Sequence, residues 1–266
     1  MKRYLPMIPL LLATALLATT AQAGETYPII DAEYTLLVGA WEKPNWLNAE
    51  TALSRGVNNN RFRLYNLDGL QATATGGQGM FMEPPFEYMV DVPLTPPPAQ
   101  EDLVGIDCPW EPMPRPVQQA ALTQQAYIDA TASLLAELGL PGTQVRLTQV
   151  LRVDLDGDGT DEVLVSASNY PRYLAPVANG GEYSLAYMRR LEQGRVNTYL
   201  LLYEAYPLYE EGTPPSAHTF RAVLDLNGDG VMEIVTQSQY YEGYSLDVWE
   251  ADKDGITHRL TAGLGV

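Results

Sequence analysis

Two stretches of this chain repeat the same run of apolar and polar positions. Val163-Leu-Val-Ser-Ala-Ser-Asn-Tyr170 and Ile234-Val-Thr-Gln-Ser-Gln-Tyr-Tyr241 lie 71 residues apart. Both are β-branched and partly alternating, the pattern of strands with a buried face. Downstream the offset falls to 61, so that Tyr183-Ser-Leu185 aligns with Tyr244-Ser-Leu246 and Gly194 with Gly255. The first copy therefore carries an insertion between Pro171 and Gly181, and its Pro and Gly content suits a surface loop. Each copy reads as four short strands. The first has them at about 145–153, 162–169, 183–191 and 196–204, and the second at about 218–225, 233–240, 244–251 and 256–262. Hairpin turns fall at Glu192-Gln-Gly194 and Lys253-Asp-Gly255. A four-stranded antiparallel unit of this length has the size of a propeller blade. Upstream, Tyr34 to Trp41, Arg61 to Gly69 and Gln71 to Thr75 also read as strands, the last two as a degenerate third copy.

One helix is predicted. Pro116 suits a first turn, the stripe Val117, Ala121, Ile128, Leu135, Leu138 follows helical spacing, and Gly139 and Pro141 close it. Between the N-terminal strands and this helix, residues 84–116 hold 10 of the 20 prolines. Regular strand is not expected there, and the segment reads as an extended connection. The divisions are thus a leader at 1–23, a β-rich region at 24–83, a Pro-rich linker at 84–116, and 117–266 with the helix and repeats (about 145–204 and 218–262). The fold class is mainly β (α+β).

The strongest chemical signal precedes the second strand of each copy. Asp154-Leu-Asp-Gly-Asp-Gly-Thr-Asp-Glu162 and Asp225-Leu-Asn-Gly-Asp-Gly-Val-Met-Glu233 place side-chain oxygens at loop positions 1, 3, 5 and 9, with glycines at 4 and 6. That spacing suits a hard cation of the calcium type, with the carbonyl of position 7 (Thr160 or Val231) as a further ligand. An EF-hand is excluded, because position 12 is Val165 or Thr236 and strands, not helices, follow.

With their strand settings, the two loops resemble the calcium loops of FG-GAP repeats, the blades of integrin α-subunit propellers and of many bacterial exported proteins. The resemblance covers about 145 to the C-terminus. It implies metal ligands at Asp154, Asp156, Asp158, Thr160 and Glu162, and at Asp225, Asn227, Asp229, Val231 and Glu233. The family's last ligand is usually Asp, whereas it is Glu in both copies here. Two structural calcium ions are implied. Loop one offers four carboxylates against three in loop two, so charge alone predicts that loop one binds more tightly.

Composition narrows the setting. Lys2 and Arg3, an apolar run and Ala21-Gln-Ala23 form an export signal, and no later segment reads as a membrane span. The protein is expected to be exported, to the periplasm or beyond. The formal charge is −17, or −19 once Lys2 and Arg3 are removed, which argues against nucleic acid or an anionic membrane as partner. Cys108, the single cysteine, sits between Ile106 and Trp110 and reads as buried. No nucleophile elbow, zinc-protease motif or phosphate loop occurs, and His218 and His258 fall on repeat strands. Tyr240-Tyr-Glu-Gly-Tyr244 is the leading recognition feature, with Tyr240 and Tyr244 expected on one face. These observations point to a calcium-binding, non-enzymatic interaction module of the cell envelope with a protein or carbohydrate partner. The alternative is a calcium-dependent hydrolase acting on a polysaccharide or phosphoester.

Overall fold

In the computed structural model the described residues are 25–170, 174–253 and 255–265; the export leader at 1–23 lies outside them. The chain is mainly β, with antiparallel sheets and two helices. The N-terminal part holds β1 (Thr26–Asp31), β2 (Leu36–Glu42), β3 (Asn45–Asn48), the short α1 (Ala49–Ser54), β4 (Arg61–Asn66), β5 (Gly69–Gly76), β6 (Met80–Phe81), β7 (Val90–Asp91), β8 (Leu94–Thr95) and β9 (Val104–Ile106). Then come β10 (Gln118–Gln119), α2 (Gln125–Glu137), β11 (Leu147–Val153), β12 (Glu162–Ser168), β13 (Glu182–Glu192) and β14 (Arg195–Tyr206). The chain ends in β15 (Ala217–Leu224), β16 (Glu233–Tyr240), β17 (Gly243–Asp252) and β18 (Gly255–Leu264).

These strands form three sheets. The first has the order β6-β7-β2-β1-β9-β4-β5-β8, with β3 paired to β2. The second runs β10-β11-β12-β13-β14, and the third β15-β16-β17-β18. The eight repeat strands therefore form two sequential antiparallel meanders, close to the expected boundaries. Apolar faces stack the sheets in series. Ile29, Val38 and Ile106 of the first sheet meet Ala222, Leu224 and Val248 of the third. Phe220, Val223 and Ile234 of the third meet Leu151, Leu164 and Met188 of the second. Helix α2 covers the far side of the second sheet, seating Leu135 against Val150, Val165 and Tyr187. Each fully buried aliphatic or aromatic side chain in these layers contributes about 1.5–3 kcal/mol. Polar ties cross the same seams. Arg221, 8% exposed, pairs with Glu33 at 2.9 Å and with Asp102, and Tyr244 donates to Asp31.

Four expectations are corrected. Residues 84–116 do contain regular strand. Val104–Ile106 lies in the proline-free stretch between Pro98 and Pro109, and it pairs on both sides, with β1 and β4. The helix begins at Gln125, not near Pro116, because Gln118 and Gln119 instead pair with Arg152 and Leu151 at the sheet edge. The downstream repeat offset is 60, not 61. Val163 lies opposite Arg189 and Ile234 opposite Trp249, so Ser184 corresponds to Tyr244, and Arg195 to Gly255. Tyr240 and Tyr244 do not share a face. Tyr241 and Glu242 form the turn, Tyr240 pairs with Gly243, and Tyr244 pairs with Gln239 on the opposite face. Tyr244 is buried and stacked on Tyr34 at 4.3 Å between ring centroids. The strands expected near Tyr34–Trp41, Arg61–Gly69 and Gln71–Thr75 are present, but in the first sheet's order they do not form a third meander.

Candidate metal centres

Both acidic loops leave the first strand of a meander and enter the second, and their backbones match. Gly157 and Gly159 take φ of 79° and 88°, and Gly228 and Gly230 take 74° and 89°, a left-handed region that L side chains rarely adopt. Those turns aim amide hydrogens at the acidic side chains. In loop one the Asp154 carboxylate accepts from Gly157 N at 2.8 Å and Gly159 N at 3.0 Å. In loop two Asp225 accepts from Gly228 N at 2.7 Å and Gly230 N at 3.0 Å. Position 3 accepts from the amide of position 5 (Asp156 from Asp158 N, 3.1 Å; Asn227 from Asp229 N, 2.9 Å). Position 5 accepts from position 7 (Asp158 from Thr160 N, 2.6 Å; Asp229 from Val231 N, 2.8 Å). Position 9 reaches back to position 2: Glu162 accepts from Leu155 N at 2.9 Å and Glu233 from Leu226 N at 2.6 Å. A carboxylate oxygen that accepts one such bond keeps a lone pair for a cation.

Ligand atoms of Asp154, Asp156 and Glu162 lie within 4.8 Å of one another. Asp158 stands outside that close group, as an exposed residue of the loop tip. Thr160 is exposed and Val231 half-buried, each held by its amide bond to position 5. In loop two Asn227 replaces one carboxylate and turns its Nδ2 toward Asp229 Oδ2 at 3.1 Å.

The burial of these acids is costly without a cation. Burial raises the carboxyls of Glu162 and Asp225 above their ordinary values. Glu233 is raised well above its own, by burial first and then by Asp229, Asp225 and Glu250. Glu233 is 0% exposed, and its Oε1 has no hydrogen-bond partner. A buried carboxylate oxygen in that condition is what a hard divalent cation would satisfy, so the donor set fits calcium.

The two loops are neighbours. Met232 N donates to Leu155 O at 2.9 Å, and the Arg115 guanidinium spans both, donating to Asp154 O, to Leu155 O at 2.6 Å and to Gly230 O at 2.7 Å. Trp110 lies over loop two: its Nε1 donates to Asp225 O at 2.8 Å, and a Cβ on Gly228 would meet its ring at 3.2 Å. The Pro-rich segment is thus a strap across both loops, a role the sequence reading missed. The available clue was Arg115, a basic residue set between Pro114 and Pro116 in an acidic chain.

Beside loop one a cleft of about 740 Å³ is lined by Asp156, Asp158, Arg190, Glu192, Arg195 and Lys253. The other polar candidates lie elsewhere. His218 is 5% exposed, with Nδ1 2.9 Å from Ser238 Oγ and its other ring nitrogen unpartnered, and burial lowers its pKa to about 4. His258 pairs with Asp247 at 2.9 Å. Cys108 is half-buried against Arg63 (Nη2 to Sγ, 3.1 Å), and burial pushes its thiol up to about 11. Among the described residues no helix is long and apolar enough to cross a membrane. Comparison with protein-family profiles, with curated proteins and with solved structures finds no match.

Proposed function

We propose that this chain is an exported, calcium-stabilised interaction protein of the cell envelope, built on two FG-GAP-type, blade-like repeats. The observation that carries this reading is the pair of acidic loops with matching backbone turns and hydrogen bonds, one of which buries an unpartnered carboxylate oxygen on Glu233. In such a protein each calcium ion closes a loop between two strands and offsets repulsion among its acids. The ligands are Asp154, Asp156, Asp158, the Thr160 carbonyl and Glu162, and Asp225, Asn227, Asp229, the Val231 carbonyl and Glu233. The ions hold strands in register, and recognition of a protein or carbohydrate partner falls to the surface around them.

The second reading, a calcium-dependent hydrolase of a polysaccharide or phosphoester, has one observation in its favour. The cleft beside loop one sets Arg190, Arg195 and Lys253 next to Asp156 and Asp158, an arrangement suited to an anionic group. One experiment separates the two. Melting is followed in calcium and in chelator, and binding to envelope polysaccharide is measured alongside release of sugar ends or phosphate. Calcium at a hundredfold over its Kd stabilises by about 2.7 kcal/mol, or roughly 5–10 °C for a chain of this size. Binding without release supports the interaction module. An unchanged melting midpoint in chelator would reject the calcium reading.

A further inference from the structure

We infer that the two loops are neutralised differently: loop two depends on a divalent cation for folding, whereas in loop one the Arg190 guanidinium supplies part of the countercharge and leaves a weaker, optional cation site. This rests on the calcium reading above and goes further by assigning the two sites unequal chemistry. Strand pairing sets the comparison. Val163 lies opposite Arg189 and Ile234 opposite Trp249, and since 163 and 234 are equivalent, Arg190 and Glu250 occupy the same place beside their loops. Arg190 is 12% exposed and its Nε lies 3.8 Å from Glu162 Oε1. At the equivalent place Glu250 turns a carboxylate to loop two, 3.4 Å from Asn227 Nδ2. The charge beside the loop is therefore reversed between the copies.

The remaining surroundings extend the contrast. Loop one also has Arg152, paired with Asp161 at 3.0 Å. Among the described residues no Lys or Arg pairs with Asp225, Asp229 or Glu233, and Arg259 is engaged by Glu250 itself. Glu162 and Glu233 are 3% and 0% exposed. Glu162 Oε1 has the Arg190 guanidinium as an ion-pair neighbour, beyond hydrogen-bond distance, whereas Glu233 Oε1 is buried with neither a hydrogen-bond partner nor, among the described residues, a paired cation. A buried carboxylate with no countercharge is strongly unfavourable, and a cation coordinated there removes that cost. In loop one part of that cost is already offset, so the same ion gains less, and the guanidinium repels it. The order is the reverse of the one obtained by counting carboxylates. As calcium falls, loop one empties first with the fold intact, and loop two empties last with the fold lost.

The test is calorimetric titration of the chain with calcium, and melting with and without chelator, for the wild type and four variants. The wild type should show two binding events. Glu233→Gln should abolish the tighter one and raise the calcium-free melting midpoint, because an unpaired buried charge is gone. Glu162→Gln should abolish the weaker one without raising that midpoint, since Arg190 then loses one of its two carboxylate partners and keeps Glu192. Arg190→Met should tighten the weaker event by about tenfold, while Arg190→Lys, which keeps the charge, should leave it near the wild-type value. The inference is overturned if the two Glu variants remove events of equal affinity, if Glu233→Gln lowers the calcium-free midpoint, or if Arg190→Met leaves the weaker event unchanged. A wild type that binds no calcium would sink the underlying reading instead, so the two failures are distinct.

Discussion

Replacing Arg115 with Ala tests whether the Pro-rich strap holds the two loops together. The side chain is half-buried and donates to three backbone carbonyls: Asp154 O and Leu155 O in loop one and Gly230 O in loop two. A hydrogen bond from a charged donor is worth about 1.5–3 kcal/mol when buried. Water can reach the carbonyls once the side chain is gone, so the discounted sum is about 2–4 kcal/mol. For a chain of this length that corresponds to a fall of roughly 5–12 °C in melting midpoint. Urea unfolding should show the loss as a lower midpoint concentration with an unchanged slope. Hydrogen exchange supplies the geometric part of the test. Amides of both loops, including Gly157, Gly159, Gly228 and Gly230, should lose protection together. Arg115→Lys should recover less than half of the stability, because one ammonium cannot reproduce a planar fork reaching two loops. A destabilisation below about 0.5 kcal/mol, or exchange that quickens in one loop only, would refute the strap.

Two other substitutions probe the layers and the buried imidazole. Phe220→Ala should cost about 3–5 kcal/mol in urea unfolding, since Phe220 is 2% exposed at the seam between the second and third sheets; a cost under about 1 kcal/mol would mean the seam collapses around the gap. His218 is held neutral, its pKa lowered from 6.5 to about 4 by burial. The unfolded chain therefore takes up this proton first, and the stability due to the neutral ring, complete above about 6.5, is lost as pH falls toward 4. The full effect is about 3 kcal/mol. Unfolding free energy of His218→Gln against wild type should diverge with pH across that window, and parallel curves would show that His218 titrates freely in the fold.

The repeat strands were legible because their signal is local: β-branched alternation, an Asp-Gly loop before each second strand, and turn residues between hairpin arms. What was misread depended on partners distant in the chain. Val117 and Ala121 fit a helical stripe, but Gln118 and Gln119 gain an edge pairing with Leu151 and Arg152 that only the folded second sheet offers. Matching Tyr-Ser-Leu to Tyr-Ser-Leu favoured an offset of 61, whereas the hairpin turns impose 60, and one residue of slip exchanges the two faces of a strand. That slip matters chemically, because it would make Ala251, not Glu250, the counterpart of Arg190 in the second copy. The candidate ligand positions within each loop can be read from nine residues. Beside loop one, Arg190 comes from the neighbouring strand β13, and Arg115 reaches both loops from a strap whose sequence reads as a plain connection. The proposed order of the two candidate sites therefore rests on what the register brings to each loop as much as on the acids the loop itself carries.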